Sequence, residues 1–340
     1  MSQVYRSLLC TIKMIIHPVL ALKDYPVLFR AGHYIIVTTG VINSLAAVLS
    51  YVCALSLYQY IFPNADLGKD FAWKLAMVSV FSLVFSKLFH YFALGKLFFM
   101  NPKRYLAETA FYNQGGQFGV LFGTIWFAWV TDISFFACMD INLTAGCLAL
   151  SLGRVGCYSY GCCHGRPTNS RFGIAYDHPE TKVLRLFPEL KGVPLVPTQL
   201  ISALFTLALF SGAIISFSYF SPRAGMVSTF LIFAYSGFRI LIERHRLDVV
   251  DVQSKENRNE FYIRVARFIM GIGVTYALVL LWMRTPHIFL SASSWPVSFP
   301  GLFLMTPGYA EGSLTLFLIY LLVWGIHYKN LGQHFQWKRF

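Results

Sequence analysis

Residues 33–65 read HYIIVTTGVINSLAAVLSYVCALSLYQYIFPNA, thirty-three positions without one Asp, Glu, Lys or Arg. About 20 apolar residues in helix cross the hydrocarbon core of a bilayer, so this stretch is long enough to span it. Charge-free runs recur at 109–131, 141–153, 192–222, 224–238, 268–283 and 312–328. Of the 340 residues, 56% are hydrophobic and only 13% charged, about half the charge usual in soluble domains, which excludes a soluble globular chain. No ten-residue segments of strict alternation recur, which argues against a membrane β-barrel. The fold class expected is an all-α, polytopic membrane helical bundle. Its eight crossings fall near 33–61, 73–99, 110–130, 133–152, 197–220, 224–243, 262–283 and 312–328. In the second, Lys87 has to snorkel or face the bundle interior.

The chain divides at 1–32, 33–283 and 284–340. Residues 1–32 mix Arg6, Lys13, Lys23 and Arg30 with Leu8, Leu9, Ile12, Ile15 and Ile16, the pattern of an interfacial helix. Residues 33–283 form a seven-span core with a surface head loop, 153–196. Beyond it lie a Ser/Pro/aromatic loop with Trp295, Phe299 and Phe303, one more span, and Lys338 and Arg339 near the end. That tail suits either an anchor or a partner contact.

The net charge of +13 is attributed to the membrane and not to nucleic acid. On the side of the N-terminus lie four basic residues in 1–32, Lys103 and Arg104, six in 153–196, four in 244–261 and three in 329–340, 19 in all. The other side holds Lys69, Arg223 and Arg284. The positive-inside rule applied to this split predicts a cytoplasmic basic face and both termini inside.

Chemistry concentrates on that face. The sixteen residues Gly153-Arg154-Val155-Gly156-Cys157-Tyr158-Ser159-Tyr160-Gly161-Cys162-Cys163-His164-Gly165-Arg166-Pro167-Thr168 are read as a loop leaving the fourth span. Arg154 stands at the membrane boundary, where a cation needs a partner or an anionic lipid. Guanidinium groups clamp phosphate through paired hydrogen bonds, and glycines permit close approach of backbone to ligand. The stretch therefore reads as a phospholipid-headgroup site, the plain alternative being a basic loop that anchors at the interface. A second set, Tyr235, Gly237, Arg239, Glu243 and Arg246, ends the sixth span, with Tyr235, Arg239, Glu243 and Arg246 on one helical face. Either Arg239 and Glu243 staple the helix, or they join the headgroup site. The third set, Asn113-Gln114-Gly115-Gly116-Gln117-Phe118-Gly119, opens the third span, where glycines serve helix packing or substrate equally well.

In this order the motifs resemble the bacterial prolipoprotein diacylglyceryl transferase family, over roughly 33–283. The carriers are Gln114-Gly115-Gly116, Gly153-Arg154-Val155-Gly156-Cys157 through Gly165-Arg166, Pro197-Thr198-Gln199-Leu200, and Arg239 through Glu243 to Arg246 and Asp248. The resemblance implies transfer of a diacylglyceryl group from phosphatidylglycerol to a cysteine thiol of a lipoprotein precursor, releasing glycerol phosphate at the outer face of the bacterial inner membrane. Arg154 and Arg239 would hold the phosphate, Glu243 would orient Arg239, and Gly165 would shape the site. Gly153, Gly156, Cys157, Arg166, Gln114, Gly115, Gly116, Tyr235, Arg246 and Gln199 would line it.

The sequence also departs from the family pattern. Gln114 stands where the family has histidine, Cys157 where it has asparagine, Val196 precedes Pro197, and Ile201-Ser202 replace Tyr-Glu. The general base is therefore open, with His164, placed among the catalytic candidates, and His245 as local replacements that titrate near neutrality. A transferase with this or another thiol acceptor and a non-catalytic phospholipid-binding or transport protein are the two functions these residues admit. No cofactor is expected. A metal at Cys157, Cys162, Cys163 and His164 is disfavoured, because the spacing matches no standard zinc motif and adjacent cysteines rarely ligate together.

Overall fold

The computed structural model describes residues 18–63, 69–109, 111–247, 255–283 and 307–332. Most of 1–32, the aromatic loop before Pro307, Asp248, Lys338 and Arg339 lie outside them. Eight principal helices run through the described residues: α1 Thr38–Ile61, α2 Lys69–Leu94, α3 Asn113–Thr131, α4 Phe135–Tyr160, α5 Thr198–Tyr219, α6 Met226–Glu243, α7 Lys255–Met283 and α8 Pro307–Tyr320. Six of these, α1, α2 and α4–α7, are long and apolar enough to cross a membrane, α7 through Ile263–Leu281. Helix α3 has the length but carries Asn113, Gln114 and Gln117, and Tyr309–Gly325 is a shorter apolar helix. The architecture is an all-α polytopic membrane bundle.

Small residues set how closely these helices approach. A Cβ on Gly115 would lie 2.4 Å from the Phe85 carbonyl oxygen, and one on Gly119 2.4 Å from that of Phe81, so α3 lies backbone-close along α2. Side chains larger than glycine cannot enter such a contact without parting the helices. Between α1 and α4 the same device recurs, with Gly153 against Asn43 and Gly156 against Thr39. Around these seams packs a core that includes Tyr58, Phe71, Phe127, Ile141, Phe217 and Leu231. Lys87 faces inward, with its ammonium hydrogen-bonded to the Glu108 carbonyl and 4.8 Å from the centre of the Phe111 ring.

Several boundaries differ from those read in the sequence. Residues 34–37 are strand and not the start of the first span: β1 (Val27–Ala31) and β2 (Tyr34–Val37) form an antiparallel hairpin. The Val27–Ala31 segment is thus extended where an interfacial helix was expected. The eighth span ends early, because the chain passes through a π turn at Leu321–Gly325 into β3 (Ile326–Tyr328), which pairs with β2. The second span stops at Leu94, and Lys96–Met100 is a separate short helix.

The largest correction concerns the fourth span. Helix α4 continues to Tyr160 and closes at Gly161, whose φ of +72° suits a glycine cap. Gly153–Tyr160 is therefore helix, not loop, because its glycines fall where α1 presses against it. Past Gly161 the head folds over its own small core of Tyr158, Tyr176, Val183, Leu184 and Leu195.

Candidate functional site

At the far end of α4 from its start, Arg154 is only 7% exposed, and Arg239, Glu243 and Arg246 are equally buried. The Arg239 guanidinium lies 2.8 Å from a Glu243 carboxylate oxygen, and Arg246 lies 3.3 Å from the same oxygen. Helix α6 ends at Glu243, so Arg246 is not on its face as the spacing suggests. It returns through a turn in which its N–H donates to the Glu243 carbonyl. Arg154 interacts electrostatically with Arg246, Tyr235, Cys157 and Cys163, which places it in the same cluster. Tyr235 is tied in by Asn113, whose Nδ2 donates to the Tyr235 hydroxyl at 2.8 Å, joining the start of α3 to α6.

Backbone pairing holds the head against this cluster. Gly165 N–H donates to the Val196 carbonyl, Arg166 N–H to that of His245, and Leu247 N–H to that of His164. Gly165 has no room for a side chain: a Cβ would sit 2.5 Å from the Val196 oxygen and 3.1 Å from the His245 oxygen. The Pro197-Thr198-Gln199 motif opens α5 and braces the same turn. Thr198 Oγ1 donates to the Cys163 carbonyl at 2.6 Å, and Gln199 Nε2 to the Cys162 carbonyl at 2.8 Å.

That turn brings the thiols of Cys162 and Cys163 beside that of Cys157 on α4, with the three sulfurs within 4.8 Å of one another. The Cys163 thiol is held well below its usual range because the Cys157 and Cys162 thiols donate to it, and Arg246 and Arg154 stand nearby. Cys162, a donor in that network, is pushed well above.

Other candidates fall elsewhere. Gln114 is buried, while Gly115 and Gly116 face Phe85, Phe89 and Ser86 of α2, the packing alternative. Gly153 and Gly156 abut α1. Arg166 is exposed at the surface of the head, as is His245. His164 is buried, its Nδ1 3.1 Å from the Gly165 carbonyl oxygen and its ring edge-on to Phe187.

Asp140, near the start of α4, went unremarked in the sequence. One of its oxygens accepts from Gly225 N–H at 2.7 Å, and the other from Ser228 N–H at 2.7 Å and Ser228 Oγ at 2.6 Å. A carboxylate from one helix thus caps the N-terminus of another, α6, whose own cap residue is a glycine with φ +95° and no side chain to offer.

The fold and this site define a polytopic membrane protein with a buried, arginine-rich cluster between α4, α6 and a folded head. The model of the prolipoprotein diacylglyceryl transferase family matches residues 26–283, and the chain belongs to that family. It is 25% identical over 222 residues to a phosphatidylglycerol–prolipoprotein diacylglyceryl transferase of Dehalococcoides mccartyi, covering 64% of this chain and 80% of the relative. Proteins of the same name from Polynucleobacter necessarius and Rickettsia canadensis are 30% and 33% identical over 162 and 159 residues. Those matches cover 45% and 44% of this chain, and 58% and 55% of the relatives.

Proposed function

We propose that the protein moves a diacylglyceryl group from phosphatidylglycerol to a thiol acceptor, a lipoprotein-precursor cysteine or a related thiol, at the bacterial inner membrane. The observation that carries this reading is the burial of Arg154 in one cluster with Arg239 and Arg246, the latter two paired to the single carboxylate of Glu243. Among the described residues the cluster sets three guanidiniums against one carboxylate. Buried guanidiniums gathered in this way are suited to clamping a phosphate through paired hydrogen bonds.

In this reading the phosphate of phosphatidylglycerol is the anion that the guanidiniums hold. Guanidiniums that hold the phosphate also stabilise the charge that grows on it as glycerol phosphate leaves, the kind of electrostatic assistance that dominates such transfers. The reacting bond lies between the glycerol carbon of the diacylglyceryl group and the phosphate oxygen. An acceptor thiolate forms the new carbon–sulfur bond while that carbon–oxygen bond breaks. Glu243 acts as a positioning residue, orienting Arg239 and Arg246. Gly165 lets the head close over them.

Incubating purified protein with labelled phosphatidylglycerol and cysteine-containing acceptors, and measuring glycerol phosphate by mass spectrometry, tests the reading. Release by the wild type supports it. No release with any acceptor overturns it. The family reaction also sets the head on the outer face, opposite to the charge count. A cysteine placed at exposed Asn169 would then label with an impermeant reagent in intact cells. Protection until the membrane is breached would instead put the head inside.

A further inference from the structure

We propose that Cys157, Cys162 and Cys163 form a binding site for one thiophilic metal ion of the Zn2+, Cd2+ or Cu+ class, beside the arginine cluster. The inference does not depend on which lipid or acceptor the cluster serves. In the linear sequence the spacing looks unsuited to a metal, because neighbouring side chains of an extended chain point apart. The backbone removes that objection. Gly161, at φ +72°, ends α4, and Cys163, at φ +58°, lies in the left-handed region, uncommon for a residue with a side chain. The turn folds back on the last helical turn, with Cys162 N–H donating to the Cys157 carbonyl at 3.1 Å. All three sulfurs consequently fall within 4.8 Å of one another.

Tetrahedral zinc holds sulfur at about 2.3 Å, which sets ligand sulfurs roughly 3.8 Å apart. Small side-chain rotations therefore close the set without moving the backbone. The backbone is already pinned, since Thr198 and Gln199 hold the carbonyls of Cys163 and Cys162. This matches the second layer of hydrogen bonds that orients ligands in metal sites.

Charge also favours the assignment. Three thiolates around a divalent ion make a complex of net charge −1, and around a monovalent ion −2. Arg154 and Arg246 act electrostatically on Cys163, so the anionic complex shares the positive charge of this cluster with any bound phosphate. Binding exchanges up to three thiol protons for three metal–sulfur bonds, with no change of oxidation state. All three cysteines are free of disulfides, as ligation requires.

The test uses the purified full chain, reduced with a phosphine and freed of metal. Titration with Cd2+ should produce thiolate-to-metal charge-transfer absorption that saturates at one ion per chain. Cys157→Ser, Cys162→Ser and Cys163→Ser should each weaken capture by about 100-fold or more, whereas Cys53→Ser and Cys147→Ser, buried elsewhere in α1 and α4, should leave it unchanged. Cadmium NMR of the wild type gives a reading that needs no variant to fold. A resonance in the three-sulfur range supports the site. Absorption that fails to appear, capture unaltered in the three serine variants, or a resonance characteristic of oxygen and nitrogen ligands would each overturn it.

Discussion

Helix α4 carries two buried charges, Asp140 and Arg154, fourteen residues and about 21 Å apart along its axis, and both meet α6. Asp140 is closed on itself: both its oxygens accept hydrogen bonds from the first turn of α6. Arg154 sits among two other guanidiniums, three thiols and one carboxylate, an arrangement rich in positive charge. One end of the α4–α6 pair is thus a completed structural joint, and the other, in the function proposed, is a receptor for an anion. A buried charge alone does not tell the two apart. The sum of the charges around it does.

Removing the charge at each end should separate these roles. Arg154→Ala should reduce headgroup release about 1,000-fold, the loss expected when a group that stabilises developing charge is removed. Insertion and thermal stability should stay close to wild type. Asp140→Ala should do the reverse. It strands two backbone N–H donors at the N-terminus of α6, those of Gly225 and Ser228, and should cost about 3 kcal/mol, read as a lowered unfolding temperature in detergent, while the folded fraction keeps its turnover. If Asp140→Ala lost activity at unchanged stability, the division into joint and receptor would be wrong. Gly165→Ala tests the geometry of the receptor without touching its charges. The added carbon must displace Val196 or the strand-like pairing beside it. A shift of that kind should lower turnover about 100-fold. Phosphatidylglycerol should still bind, because the arginines remain.

The same comparison explains what was legible in the sequence. The receptor end could be read, since Arg154, Arg239 and Glu243 sit in motifs whose order is specific, and the structure brings them into one cluster. The joint could not: Asp140 is one acid in an apolar run, and its partners, Gly225 and Ser228, lie more than eighty residues away without a side-chain pattern to announce them. Apolar runs located the helices well, but glycine proved ambiguous. At Gly153 and Gly156 it reads as a loop signal, although its work is to let α4 lie against Thr39 and Asn43. The strand at Ile326–Tyr328 is three residues long, and its pairing with β2 spans almost the whole chain, too short and too distant for periodicity to reveal.

Lipid retention tests the central claim, that the buried arginines hold a lipid phosphate. Native mass spectrometry of protein from mixed micelles of phosphatidylglycerol and phosphatidylcholine should show one phosphatidylglycerol kept by the wild type and lost in Arg154→Ala. Equal retention by both proteins, or no preference between the two lipids, would contradict the account.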